Sequence, residues 1–288
     1  MPVSDRRTVL VIIAMFLYWT NLTFAQITLL DSFSVGESEI LGLKIGFNPV
    51  SENLFVHLFD DTSRGLTEYS QGGTVVRSFG PTLDFGTGGF DFTPSPIVID
   101  GNEIPAGHLI NLDTAFHSLR SFDLTAGTST PGINLVNGNQ GYSGIGLDVA
   151  NGIAVVGESF FHNLTLVNFE TNSLDNRNLS SNQFVVLDLD VLAATNTAFV
   201  VGFETQINEL SYDGEVLDSI DLAPLGVTGH LASLTFNDEA GEAWVANDSG
   251  TIYRLGGFPA VPEPASVILT FSGLILLFVT RRNTRPTC

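Results

Sequence analysis

The sequence predicts an all-β chain folded as a β-propeller, with five blades the first choice, six the second and an open β-sandwich the third. Three observations predict it. Short apolar strands separated by polar turns recur at intervals of 42 to 55 residues, the period of a propeller blade. The 288 residues include 29 Gly, 12 Pro and 22 Phe, a composition of turns and packed sheets rather than of long helices. A spare strand near the N-terminus supplies what the last repeat lacks.

The repeated phrase is an apolar strand, a short polar turn and a second strand of small and apolar residues. It runs Leu43–Asn48 then Asn53–Val56, Gly89–Thr93 then Pro96–Ile99, and Ile145–Asp148 then Gly152–Val156. It returns as Leu187–Asp190 then Thr197–Val201, and as Leu234–Asn237 then Glu242–Ala246. Aligning Asn48, Thr93, Asp148, Asp190 and Asn237 gives spacings of 45, 55, 42 and 47. The long interval is assigned to Ala126–Tyr142, a Gly/Ser/Thr/Asn-rich stretch that reads as a loop. Asp213-Gly214 is a hairpin turn between Gln206–Tyr212 and Glu215–Asp221, which brings each repeat to four strands. The fifth repeat ends after three, at Thr251–Leu255, and Gln26–Val35 is placed beside it as the fourth. That closure removes two open edges at once, and Ile27–Phe258 then divides into about 46 residues per blade.

Composition excludes several classes. At 44% hydrophobic the chain can bury a core, and at 15% charged it is no long coiled coil. Eleven Lys+Arg against 31 Asp+Glu give a net charge of -20, a poor partner for a phosphate backbone, so nucleic acid is set aside. Lys44 is the only lysine and Cys288 the only cysteine, so no disulfide holds the body.

The two ends read as addresses. Arg6 and Arg7 precede an apolar run, Thr8–Trp19, and then Thr23-Phe24-Ala25, the layout of a signal peptide cleaved between Ala25 and Gln26. At the other end Val261-Pro262-Glu263-Pro264 stands before an apolar stretch, Ala265–Thr280, followed by Arg281, Arg282 and Arg285. Sixteen helical residues reach about 24 Å, a marginal membrane span with its arginines held on the cytoplasmic side. The expected organisation is therefore a signal peptide at 1–25, an exported propeller at 26–258, and a tail at 259–288 with a transmembrane helix over 265–280.

Proline-glutamate-proline, short apolar helix and terminal arginines, in that order at the chain end, resemble the PEP-CTERM sorting signal of exosortase substrates. The resemblance implies export, transient anchoring in the inner membrane, processing near the motif by a membrane-embedded exosortase-type transpeptidase, and a final place at the cell surface or outside the cell. It also implies a Gram-negative host that makes exopolysaccharide. The strand order is loosely similar to NHL-repeat or gluconolactonase-type propellers, a similarity of apolar pattern that carries no catalytic residue across.

No catalytic constellation emerges. Gly141-Tyr142-Ser143-Gly144-Ile145 lacks the last glycine of a nucleophile elbow and reads as a glycine-rich loop. Gly86-Thr87-Gly88-Gly89 precedes a strand, unlike a dinucleotide fingerprint. His57, His108, His117, His162 and His230 have no paired zinc spacing; His57 reads as a sheet residue and His230, at a strand start, stands nearest to a ligand position. Asn48, Asp148, Asp190 and Asn237 share one repeat position and offer oxygen ligands suited to calcium around a central channel; equally, Asn and Asp there make turns by bonding their own backbone. Asn247-Asp248-Ser249-Gly250 reads as a hairpin turn.

Two functions are carried forward. The first is a non-enzymatic binding or structural propeller at the cell surface or in the extracellular matrix, associated with exopolysaccharide or a surface protein. The second is a metal-dependent hydrolase of lactonase or phosphoesterase type. Carboxylates clustered in the channel would favour the hydrolase, and an apolar plug would favour binding.

Overall fold

The computed structural model describes residues 26–36, 43–58, 65–80, 88–113, 118–130, 133–135, 141–158, 163–180 and 185–260. The signal segment, the sorting tail, His117 and His162 lie outside the described residues.

Strand β1 (Thr28–Ser34) opens the chain. Blade 1 follows with β2 (Leu43–Asn48), β3 (Asn53–Leu58), β4 (Gly65–Tyr69) and β5 (Val75–Phe79). The next strands are β6 (Phe90–Phe92), β7 (Ile97–Ile99), β8 (Asn102–Ile104), β9 (Leu109–Asp113), β10 (Ser118–Asp123) and β11 (Thr128–Thr130). Blade 2 is β6, β9, β10 and β11, while β7 and β8 form a separate hairpin. Blade 3 comprises β12 (Tyr142–Asp148), β13 (Ile153–Glu158), β14 (Asn163–Asn168) and β15 (Leu174–Asn178). Blade 4 comprises β16 (Asp188–Leu192), β17 (Thr197–Val201), β18 (Gln206–Leu210) and β19 (Val216–Asp221). Blade 5 contains β20 (Leu231–Asn237), β21 (Glu242–Asn247) and β22 (Thr251–Gly256), and its fourth strand is β1. The fold is thus an all-β propeller of five four-stranded antiparallel blades.

The N-terminal closure is as the sequence predicts. Strand β1 pairs antiparallel with β22 from Thr28↔Gly256 to Ser34↔Thr251. Both hairpin turns are also present. Gly214 adopts φ +85° in the β18–β19 turn, and Gly250 adopts φ +75° after Asn247, whose side-chain Oδ1 accepts the Ser249 and Thr251 amide hydrogens.

Blade 2 differs from expectation. Ile97–Ile99 is a strand, but it pairs with Asn102–Ile104 rather than with β6, whose neighbour is β9. This inserted hairpin lengthens the second repeat. The stretch assigned to a loop contributes β11 and, at Tyr142, the start of β12. Gly141–Ile145 is likewise mostly strand rather than loop: β12 is buried along its length.

Burial grades outward across each blade. The first strands, β2, β12 and β16, are buried at every residue, whereas the fourth strands β1, β5 and β19 are mostly exposed. Because successive side chains in a strand point to opposite faces, each blade offers apolar residues to both neighbours. In β3, Leu54 and Val56 join the core shared with blade 5, which includes Trp244 and Ile252, while Phe55 between them joins Phe90, Phe92 and Leu109 of blade 2. The described residues contain five such cores, one at each seam. Burying one large side chain contributes roughly 1.5–3 kcal/mol, so the ring is held by apolar packing spread evenly around it.

Candidate functional site

The innermost strands decide what lies on the axis. Counting back from each strand end, the inward residues two before the end are Gly46, Asp91, Gly146, Asp190 and Thr235, and those four before it are Lys44, Gly89, Gly144, Asp188 and Ser233.

The first layer spends its side chains on backbone amides. Five N–H groups need partners there: Phe47, Phe92, Leu147, Val191 and Phe236. Asp91 accepts its neighbour Phe92 through Oδ1 at 2.7 Å and Leu147 of blade 3 through Oδ2 at 2.8 Å. Asp190 does the same for Val191 at 2.7 Å and Phe236 of blade 5 at 2.8 Å. Thr235 accepts Phe47 of blade 1 at 3.0 Å. An aspartate stands where the preceding blade carries glycine and has no acceptor to lend; a hydroxyl suffices where the preceding blade carries aspartate. A buried amide without a partner is costly, so two carboxylates and one threonine satisfy all five.

The second layer is built around a cation. Ser233 accepts the Ile45 amide at 2.9 Å and donates to Asp188. The Lys44 ammonium reaches from blade 1 to the Leu187 carbonyl and lies 3.7 Å from Asp188 Oδ1. Burial pushes Asp188 up to about 6 while Lys44 draws it down; burial likewise lowers Lys44 against the pull of Asp188. Glycine is required on the other strands: a Cβ on Gly144 would lie 2.2 Å from the Leu189 nitrogen, and one on Gly146 would lie 2.5 Å from that of Val191. The axis is therefore neither apolar nor an open acidic channel, but a polar plug with its groups bonded to one another.

Asn48, Asp148 and Asn237 occupy one repeat position, each ending its innermost strand. Asn48 Oδ1 accepts the Val50 and Ser51 amides, Asp148 Oδ1 accepts Asn151, and Asn237 Oδ1 accepts Ala240. Asp148 also accepts the Tyr212 hydroxyl of blade 4 at 2.7 Å, and Asn48 Nδ2 donates to the Gly107 carbonyl of blade 2 at 3.2 Å. These are turn-forming residues that also bridge to the next blade. Asp190 is not their equivalent. Blade 4's strand ends at Leu192, and with that residue the last two spacings become 44 and 45. A two-residue slip keeps every side chain on its face, so alternation alone cannot detect it. Among the described residues no group of three or more His, Cys, Asp or Glu side chains is arranged to hold a metal ion.

The remaining candidates have structural surroundings. Ser143, within the elbow-like motif, donates to the Gly157 and Val186 carbonyls from a buried position on β12. His57 lies buried on β3 opposite Lys44. His230 Nδ1 sits against the Phe203 carbonyl beside a surface hollow formed with Glu204, Thr205, Gln206 and Asp221.

What the sequence does not flag is a groove at the seam of blades 5 and 1. Phe47, Pro49, Glu52, Gln71, Asn237, Glu239 and Arg254 line it. Phe47 stacks on buried Trp244 at 4.9 Å between ring centroids, and the Arg254 guanidinium, 5.5 Å from the Trp244 ring, is bidentate to Glu242 at 2.7–2.9 Å. The groove presents carboxylates and amides beside an aromatic face, the chemistry that meets a hydroxyl-rich ligand. Its residues come from turns of two different blades, which no local motif can reveal.

No protein-family model matches the chain, and no curated protein matches it. Among solved structures the chain is similar to the WD40 β-propeller domain of Doa1, at 10% identity and a TM-score of 0.49, over 81% of this chain and 98% of that one. The blade count stands on the chain's own sheet topology.

Proposed function

We propose that this protein is an exported, non-enzymatic binding or structural propeller, sorted by an exosortase-type membrane transpeptidase and associated with exopolysaccharide at the cell surface or beyond it. The sorting half of the reading rests on the order Pro262-Glu263-Pro264, apolar run, Arg281-Arg282 at the chain end, opposite a signal-like N-terminus cleaved after Ala25. The binding half is carried by one observation: all four oxygens of Asp91 and Asp190 already accept backbone amides. Carboxylates spent on closing the ring are not poised for acid–base work or for a cation. Recognition then falls to the surface, and the blade 5–blade 1 groove is the place where polar groups flank an aromatic face.

Co-sedimentation of the full-length chain with surface polysaccharide from an exopolysaccharide-making Gram-negative host tests it. The reading expects retention that weakens when Glu52 and Glu239 are both changed to Gln. No retention above that of an unrelated acidic protein would overturn the polysaccharide assignment.

A further inference from the structure

The two axial layers differ in one respect. The layer of Lys44, Asp188 and Ser233 contains a cation beside its carboxylate. The layer of Asp91 and Asp190 contains two buried carboxylates and none. We propose that Asp91 and Asp190 together retain a proton at neutral pH and form a clasp on the ring of blades that is stronger in acid and loosens as the proton leaves.

The charged and titratable groups around the pair are mostly of the same sign. Strand β16 adds Asp188, whose charge Lys44 of β2 offsets. Asp148 ends β12, Tyr212 follows β18 and donates to it, and Asp238 follows β20. Among the described residues Lys44 is the one cation at the axis, and Asp188 engages it. Burial is the main force raising Asp91 to about 7, with repulsion from Asp238 and Asp188 adding to it and the Phe92 and Leu147 amides opposing it. Asp190 is raised well above the usual range by burial and then by Asp91 and Asp238. Asp238, raised by burial to about 6, has one oxygen accepting Ala193 at 3.3 Å.

The direction follows from linkage. A carboxyl with a higher pKa folded than unfolded holds more protons in the native state, so the stability it contributes is complete below about pH 4 and lost as pH rises through its folded value. For this pair the loss extends to around neutrality. The amides of Leu147 and Phe236 bridge blades 2–3 and 4–5 through these two side chains, so the repulsion acts on the seams themselves.

The test is urea unfolding of the full-length chain at matched ionic strength from pH 4 to 8. Wild-type protein is expected to lose on the order of 1 M in midpoint between pH 5 and pH 8. Asp190→Asn and Asp91→Asn, which cannot ionise, should start lower because the amide nitrogen accepts nothing, and should lose less than half as much over the same range. A wild-type midpoint that rises with pH, or an equal fall in both variants, would overturn the proposal. Should the variants not fold, carbon-13 NMR of aspartate-labelled wild-type protein decides instead: a carboxyl titration step near neutrality is expected, and completion of every step by pH 5 would sink the clasp.

Discussion

The Thr235 hydroxyl oxygen accepts the Phe47 amide hydrogen at 3.0 Å, joining the innermost strand of the last blade to that of the first. One layer away, Ser233 does the same for Ile45. The ring is thus closed twice, by these hydroxyls at the axis and by β1 on the rim. Thr235→Val keeps the shape and removes the acceptor, leaving a buried amide without its partner. Chemical denaturation should show a loss of about 1–3 kcal/mol, and Thr235→Ser should recover most of it.

Closure on the rim has a different signature. Deleting residues 26–35 removes β1 and uncovers the outer edge of β22 along Thr251–Gly256. An open edge templates pairing with other chains, so light scattering should report association of the shortened protein at concentrations where the full chain stays monodisperse.

Close approach of the innermost strands is tested at glycine. Gly144→Ala places a methyl 2.2 Å from the Leu189 nitrogen, where backbone must move; thermal melts should show a loss of at least about 3 kcal/mol or no folded protein. Gly72→Ala meets nothing within 4 Å and has no positive φ, and should be neutral or slightly stabilising.

These positions also show what the sequence can and cannot disclose. The repeat, the spare N-terminal strand and the turns at Asp213-Gly214 and Asn247–Gly250 are local signals, and the fold follows from them. Pairing is less local. Ile97-Val98-Ile99 looks like the partner of Phe90–Phe92 because it comes next, yet Leu109–Asp113 takes that place after a hairpin excursion. Gly144 and Gly146 look like turn residues when their actual reason is the neighbouring strand, more than 40 residues away in sequence. The axial clasp is hidden by the same two-fold ambiguity that misplaces Asp190: its recognition requires knowing which residue ends each innermost strand.

Calcium separates the binding reading from the hydrolase. Asp148 and Asp190 direct their oxygens to amides and to side chains of their own ring, so calcium and sodium chloride at equal ionic strength should give equal thermal midpoints after screening of the acidic surface. A midpoint several degrees higher in calcium would restore the metal-dependent hydrolase as the leading function.

The account's central claim is that the propeller is cargo and the tail its address. Mass spectrometry of the protein released from the surface of an exosortase-bearing host tests this most directly. The account predicts a species that begins at Gln26 and ends near Pro262-Glu263-Pro264, with alanine at those three positions blocking the release and leaving residues 27–258 folded. A released species still carrying Leu274 through Arg282 would contradict it.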